Sequence, residues 1–207
     1  MKDMPKIIIF DFDGTIADSF SFMLLNMHQL IRRPPPKDDI SRLRGMSSRE
    51  LLHELKIPLW WAFFLAARVR RFMSSHIDEI TLFPGMDATF RELSTRYDLY
   101  IVSSNSRSNV LRFLERHDLD VYFSGVQGGV APWRKGHALR RLARSLKLVP
   151  QDTWYVGDGD LDIKATHRVG MKAVAVAWGF SNIHVLNNCH PEVLVFNSDE
   201  LTRHFMK

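Results

Sequence analysis

The sequence has 207 residues, a formal net charge of +5, and 45% hydrophobic and 25% charged residues, which suits a soluble protein of one domain, or one domain with an insertion. Its single cysteine, Cys189, excludes an internal disulfide framework and a zinc site built from several thiolates. Zinc-finger spacing, a continuous basic tail and an RRM-like aromatic signature are all missing, so we expect no nucleic acid partner.

The first predicted element is a strand at residues 6–10, KIIIF, which is followed by Asp11 and Asp13. The four-residue apolar run before Asp11 is too short for the core of a signal peptide, so we expect a cytoplasmic protein. A charge at the rim of an apolar core is costly unless a partner or a task holds it there. The position of the two carboxylates therefore suggests a function.

The next segment, residues 19–81, contains no good strand and shows only helical periodicity interrupted by prolines. It is far too long for a loop between a strand and the next element. We therefore predict a core domain formed by residues 1–18 and 82–207, with an α-helical cap inserted between them at 19–81.

The most apolar part of this insertion is IPLWWAFFLAA, residues 57–67, which is followed by RVRR. Eleven residues are about half of what a membrane-spanning helix needs, so stable membrane insertion is not expected. A buried cap helix with Trp60 and Trp61 in the cap core is favoured over a helix lying on a membrane surface. A contact with a partner is left open, and the oligomeric state is not predicted.

The remainder of the chain alternates short apolar runs with amphipathic segments. The apolar runs predict further strands at residues 98–103, 153–157, 172–177 and 193–196. The amphipathic segments predict helices at residues 86–96, 106–117, 135–147 and 160–170. This alternation predicts an α/β fold, a parallel sheet with helices on both faces.

Polar clusters stand at the ends of several of these elements, where ligands bind in an open parallel sheet. Taken singly, each cluster is typical of helix capping or of a solvated surface. Their shared location is what indicates a site. The clusters are Asp11 and Asp13; Ser103, Ser104 and Asn105; Lys135; and Asp158, Asp160 and Asp162.

The order of these clusters resembles a known motif set. DFDGT at 11–15, a strand ending in Ser103, Lys135, and VGDGDLD at 156–162 are similar to the four motifs of the haloacid dehalogenase-like (HAD-like) hydrolase superfamily. The sequence is most similar to the phosphoglycolate phosphatase-like branch, which carries a helical cap after the first motif. The resemblance implies a Rossmann-like core and a Mg²⁺-dependent phosphatase that hydrolyses a small phosphate monoester, phosphoglycolate-like or a sugar phosphate.

The resemblance also implies roles for individual residues. Asp11 would be the nucleophile that forms an aspartyl phosphate, and with an ordinary pKa of about 3.9 it would be ionised without an activating base. Asp13 would protonate the leaving alkoxide and then deprotonate the attacking water. Lys135 would neutralise the charge of the nucleophile and the phosphate. Asp162 would act on Lys135 or on a metal-bound water.

Phosphate and metal ligands follow from the same resemblance. Ser103 would donate its hydroxyl to phosphate, helped by the backbone N–H groups of Ser104 and Asn105, while Gly14 would allow a tight turn beside the phosphate. Clustered carboxylates repel one another unless a cation lies between them. Oxygen ligands and a phosphate partner favour Mg²⁺. Its predicted ligands are Asp11, the Asp13 carbonyl and Asp158, whereas Asp160 is expected to be solvated.

Other activities of the same superfamily differ in how well they account for these residues. A dehalogenase would leave Asp13, Asp158 and Asp162 unexplained, because that chemistry involves no alkoxide and no metal. A phosphomutase of the same fold and a catalytically silent phosphate-binding protein both stay open. The cap should decide the substrate, and we predict that Arg44 or Arg49, which flank GMSS, faces the site and binds an anionic or hydroxylated group.

Overall fold

The fold is built on one parallel β-sheet. The computed structural model describes residues 6–31, 50, 53–54 and 56–207. Within these residues, all strands of the sheet are parallel and lie in the order β3-β2-β1-β4-β5-β6. The strands are β1 (Ile7–Phe10), β2 (Asp98–Val102), β3 (Phe123–Gln127), β4 (Trp154–Gly157), β5 (Lys172–Val176) and β6 (Val193–Val195).

Helices connect the strands and cover both faces of the sheet. They are α1 (Ser19–Leu25), α2 (Met27–Ile31), α3 (Leu59–Ser75), α4 (Met86–Leu93), α5 (Arg107–Arg116), α6 (Lys135–Ser145), α7 (Asp160–His167), α8 (Ile183–Asn187) and α9 (Ser198–Met206). Short 3₁₀ helices lie at Ile77–Glu79, Asp120–Tyr122, Pro132–Arg134 and Pro150–Asp152. The predicted α/β fold, a Rossmann-like parallel sheet with helices, is confirmed.

The run of apolar residues near the start of the described chain forms the central strand β1, which is buried on both faces. Ile8 and Phe10 face a cluster that includes residues from α4, α5 and α9. Ile7 and Ile9 face the opposite side, where α6 packs. Side chains alternate between the two faces of a strand, so both sets are buried only because both faces are covered.

Three elements were absent from the predicted set. The edge strand β3 has the sequence FSGVQ, and its Ser124 and Gly125 interrupt the apolar pattern that marks a strand. A Cβ on Gly125 would lie 2.9 Å from the Tyr100 ring, so close packing against β2 explains the glycine. The helices α8 and α9 were also missed. The start of α9 carries a capping signal, because the Asn197 side chain accepts the Glu200 N–H at 2.9 Å.

The segment that contains α1, α2 and α3 begins and ends at one place, where an isolated bridge joins its two ends. Ala17 and Leu82 form an antiparallel bridge. Beside it, the Asp18 N–H donates to the Thr81 carbonyl at 2.9 Å, and the Phe83 N–H donates to the Ile16 carbonyl at 3.1 Å. The predicted core and cap domains stay a prediction, and Arg44 and Arg49 lie outside the described residues.

Helix α3 exposes more of its apolar side chains than the buried cap helix predicted from its composition. Trp60 is 73% exposed and Phe64 is 64% exposed, so the prediction of Trp60 as cap core is wrong, while Trp61 is half-buried. The two exposed residues are four apart and therefore share one face of the helix. Val69, Phe72 and Met73, on another face, pack against the main cluster. Within the described residues, no helix combines the length and apolar character needed to cross a membrane.

Candidate active site

The predicted site residues meet where the sheet changes direction. From β1 the sheet extends through β2 on one side and through β4 on the other, so the carboxyl ends of β1 and β4 border a topological switch point. The Asp11 N–H donates to the Val156 carbonyl at 2.8 Å, which aligns the residue after β1 with the end of β4. Asp158 follows β4 directly, so the motifs at 11 and 158 become neighbours.

The carboxylates of Asp11, Asp158 and Asp162 form a compact acidic cluster. One ligand atom from each lies within 4.8 Å of the others, and all three residues are buried. Residues that are about 150 positions apart are thus brought together, as the shared-ion argument from the sequence requires. Three buried carboxylates at this spacing form an all-oxygen donor set of the kind that hard divalent cations take.

Lys135 supplies positive charge to this cluster. Its Nζ lies 2.6 Å from Asp11 Oδ2 and also contacts Asp162 Oδ1. The side chain reaches the cluster because Lys135 is the first residue of α6, directly after the 3₁₀ turn Pro132–Arg134. Its ammonium also lies 5.6 Å from the centre of the Tyr155 ring, a residue that the sequence did not single out.

The cluster combines three carboxylates with one lysine, so negative groups outnumber positive ones, and the pKa values of its members are shifted. Burial, followed by repulsion from Asp162 and Asp158, holds the pKa of Asp11 well above its usual range despite the attraction of Lys135. Burial and repulsion from Asp162 raise the pKa of Asp158 to about 7. Burial alone would lower the pKa of Lys135, but Asp11 and Asp162 outweigh it and raise that pKa. The pKa of Asp11 is thus raised in the protein alone, and a cation bound beside the cluster would lower it again.

This charge deficit predicts how stability depends on pH. In EDTA, we expect the free energy of unfolding to fall between about pH 4 and pH 7, by on the order of 4 kcal/mol at most from Asp158 alone. The sign follows because the folded protein keeps a proton on Asp158 that the unfolded chain, with a pKa of about 3.9, has lost. Urea unfolding at pH 5 and pH 8, with EDTA and with Mg²⁺, measures the effect.

The controls for this prediction separate the cluster from the rest of the chain. Mg²⁺ should remove most of the loss at pH 8, because it stabilises the ionised carboxylates of the folded protein only. Asp158→Asn should flatten the slope in EDTA. A metal-free protein that is as stable at pH 8 as at pH 5 would contradict the prediction.

The Asp158 carboxylate is closely surrounded by backbone groups and small residues. Its Oδ2 accepts the Phe180 N–H at 2.7 Å, and its Oδ1 accepts the Thr15 hydroxyl at 3.2 Å. Gly14 has a φ of +79°, and a Cβ there would lie 2.2 Å from Asp158 Oδ2. A Cβ on Gly179 would lie 2.2 Å from Asp158 Cβ. Gly14, which was predicted to lie beside phosphate, therefore makes room for a metal-ligand candidate.

We expect Gly14→Ala to destabilise the protein by about 3–5 kcal/mol, because a strained left-handed residue is combined with a clash against Asp158. Gly129→Ala is the matched control. Gly129 also has positive φ, +71°, but a Cβ there would meet nothing within 4 Å, so only the backbone cost of about 1–2 kcal/mol remains. Urea midpoints measure the difference, and equal losses in the two variants would contradict the assigned packing role.

Asp162 links the cluster to the start of α7. Its Oδ2 accepts the Gly159 N–H at 3.1 Å, while its Oδ1 contacts Lys135. This arrangement fixes the carboxylate so that it orients the lysine, which agrees with the indirect role expected from the sequence. Asp160, by contrast, pairs with Lys164 at 2.6 Å on an exposed part of the helix.

Asp13 faces the second motif. The Asn105 side-chain amide donates to both Asp13 carboxylate oxygens, at 3.3 and 3.2 Å. The sequence assigned the Asn105 backbone N–H to phosphate, but that N–H instead donates to Ser103 Oγ at 3.0 Å, a local turn of the kind serine favours. Ser103 is fully buried, and Ser104 is half-buried. The Asn105 side chain is thus a site group that the sequence did not reveal.

Comparison with known proteins agrees with this geometry. Residues 8–176 match the family described as haloacid dehalogenase-like hydrolase. A phosphoglycolate phosphatase from Synechococcus elongatus is 36% identical over 95% of both chains. One from Aquifex aeolicus is 22% identical over 96% of this chain and 95% of its own. The chain belongs to the haloacid dehalogenase-like hydrolase family.

Solved structures give the same fold. A haloacid dehalogenase-like family hydrolase from Streptococcus pneumoniae superimposes with a TM-score of 0.77, at 23% identity, over 98% of this chain and 99% of its own. The family match and the 36% identical relative confirm the predicted family, its phosphoglycolate phosphatase-like branch and the enzyme class.

Proposed function

We propose that the protein, which is a phosphatase, hydrolyses the phosphate monoester of a small alcohol through an aspartyl phosphate on Asp11, with Mg²⁺ as cofactor. The observation that carries the proposal is the buried cluster in which Lys135 lies between Asp11 and Asp162, with Asp158 alongside. Monoester hydrolysis without a catalyst is among the slowest reactions known, so it requires such a set of charges around one phosphate.

The first step follows from the geometry around Asp11. Its Oδ1 accepts the Phe12 N–H at 2.8 Å and its Oδ2 pairs with Lys135, so both carboxylate oxygens are fixed before phosphate arrives. A fixed nucleophile in a dry site gains rate by positioning alone. Attack on phosphorus forms the O–P bond to Asp11 and releases an alkoxide, and the charge of Lys135 offsets that of the phosphate oxygens.

Mg²⁺ fits this cluster, where Asp11, the Asp13 carbonyl and Asp158 would hold it. When bound, it would supply the positive charge that the three carboxylates lack and draw phosphate oxygens toward Asp11. Support for the assignment comes from the raised pKa values of Asp11 and Asp158, since ionised carboxylates at this spacing need a cation.

Asp13 completes the cycle as acid and then as base. As an acid it would protonate the leaving alkoxide, and as a base it would take a proton from the water that attacks the aspartyl phosphate. The Asn105 amide holds its carboxylate in one orientation. Phosphate oxygens would be bound by the Ser103 hydroxyl and by the backbone N–H of Ser104, which stand at the end of β2.

The substrate class rests on the relatives. The 36% identical protein of matching length is named phosphoglycolate phosphatase, which supports a small phosphate ester of the phosphoglycolate type. A sugar phosphate is the second member of the expected class, and Arg44 or Arg49 remains the proposed specificity group.

Release of inorganic phosphate tests the function. We expect turnover of 2-phosphoglycolate, hexose phosphates or 4-nitrophenyl phosphate in Mg²⁺, and none in EDTA. A phosphomutase would instead convert a sugar phosphate into its isomer without net phosphate release. A purified, folded protein that turns over no ester of the panel in Mg²⁺ would overturn the proposal.

A further inference from the structure

A chain of hydrogen bonds leads from Asp13 to helix α3. The Asn105 Nδ2 donates to the Asp13 carboxylate, and the Asn105 Oδ1 accepts from Asn109 Nδ2 at 2.9 Å. The Ser74 hydroxyl in turn donates to Asn109 Oδ1 at 3.1 Å. Ser74 lies near the carboxyl end of α3, in the segment inserted after the first motif, so three side chains connect that segment to Asp13.

The two asparagines can satisfy these bonds in only one orientation. Both are buried, with 7% and 8% exposure, so an unpaired amide group on either would be costly. The Asn105 Oδ1 also accepts the Ser106 N–H at 2.9 Å, so its Nδ2 must face Asp13. Asn109 then has to direct its amide nitrogen to Asn105, and the Ser74 hydroxyl lies 3.1 Å from the Asn109 oxygen and 3.0 Å from that amide nitrogen.

We propose that Asn109 is a positioning residue that makes the orientation of Asp13 depend on the placement of α3. With Ser74 in place, Asn109 holds Asn105, and Asn105 holds the carboxylate that serves the leaving oxygen. With α3 displaced, the Asn109 amide loses a partner, and the orientation of Asn105 then rests on the Ser106 N–H alone. The inference rests on the proposed role of Asp13 as the proton donor to the leaving alkoxide.

Helix α5 makes a second contact with the inserted segment, which provides a matched control. Arg112, three residues after Asn109, pairs with Asp78 of the 3₁₀ helix Ile77–Glu79. Those side chains are 60% and 35% exposed. Loss of this ion pair removes a tie between the same two parts of the chain, but it lies outside the series of amides that ends at Asp13.

The test compares esters whose leaving groups need different amounts of help. Nitrophenolate leaves without a proton, whereas the alkoxide of 2-phosphoglycolate needs one. For Asn109→Ala in Mg²⁺, we expect kcat/KM for 2-phosphoglycolate to fall about tenfold more than kcat/KM for 4-nitrophenyl phosphate. Ser74→Ala should shift the ratio in the same direction by about threefold, and Arg112→Ala should leave it unchanged.

The comparison of kcat/KM values reports the phosphoryl transfer to Asp11, so later hydrolysis of the intermediate does not mask the result. Equal losses on both esters in Asn109→Ala and Ser74→Ala would show a merely structural role and overturn the inference. Ser74→Ala keeps the test available if Asn109→Ala fails to fold. A wild type without phosphatase turnover would overturn the proposed function as well, whereas an active wild type with an unchanged ratio overturns this inference alone.

Discussion

Asp11→Asn is expected to reduce phosphate release by at least about 10³-fold, because an amide cannot act as the nucleophile on phosphorus. The carboxylate that it replaces is fixed by the Phe12 N–H and by Lys135, so the amide fits the same space without a change in volume. Steady-state phosphate release and trapping of a covalent phosphoenzyme measure the result. Only the wild type should give a phosphorylated chain, and its label should map to Asp11.

Asp160→Asn is the matched control for this variant. Its carboxylate is also in the fourth motif, but it pairs with Lys164 on the surface of α7 and does not belong to the acidic cluster of Asp11, Asp158 and Asp162. We expect its activity to stay within about twofold of the wild type. Residual turnover of Asp11→Asn above a few per cent would mean that another group attacks phosphorus, and the assignment of the nucleophile would be wrong.

Lys135→Met is expected to destabilise the metal-free protein by about 3–5 kcal/mol at pH 8, because three buried carboxylates then face one another without an internal cation. The methionine fills the path of the lysine stem, so the loss is one of charge and not of volume. At pH 5 the loss should be smaller, since protons neutralise part of the cluster. Urea unfolding in EDTA at both pH values measures it, and phosphatase activity should be lost.

An exposed ion pair of the same residue types provides the comparison. Lys164 and Asp160 are 2.6 Å apart, the same separation as Lys135 and Asp11, but the side chains are 49% and 35% exposed. We expect Lys164→Met to cost less than about 1 kcal/mol, because water solvates both charges when the pair is broken. If both lysine variants lost similar stability, the buried cluster would not have the electrostatic cost described for it.

The sequence was sufficient for the sheet and for the charged part of the site. The runs IIIF and AVAV are apolar without interruption, which is typical of strands covered on both faces, and they belong to β1 and β5. Asp11 and Asp158 directly follow β1 and β4, so the rule that parallel strands gather their carboxyl ends on one edge was enough to bring them together, whereas Lys135 reaches them from the start of α6.

Other features depended on tertiary contacts that no local pattern encodes. The edge strand β3 is stabilised by pairing with β2, although its own residues have a weak strand pattern. Asn109 has the sequence signature of an ordinary residue in the first turn of a helix, and its bond to Ser74 joins positions 35 residues apart. Trp60 illustrates the opposite error, because the apolar composition around it predicted burial while helical geometry places it on the exposed face.

The bridge between Ala17 and Leu82 has a consequence for how such enzymes diversify. Two backbone hydrogen bonds beside the bridge hold the two ends of the inserted segment together. The rest of the fold therefore has to accommodate only two adjacent chain ends, as at the base of a hairpin, whatever the length of the segment. The entropy of closing a loop grows only slowly with the number of residues. An exchange of the segment for one of a different size would therefore add little to the cost of folding, provided that the new segment keeps a hydrogen-bonding partner for Asn109 in the place of Ser74.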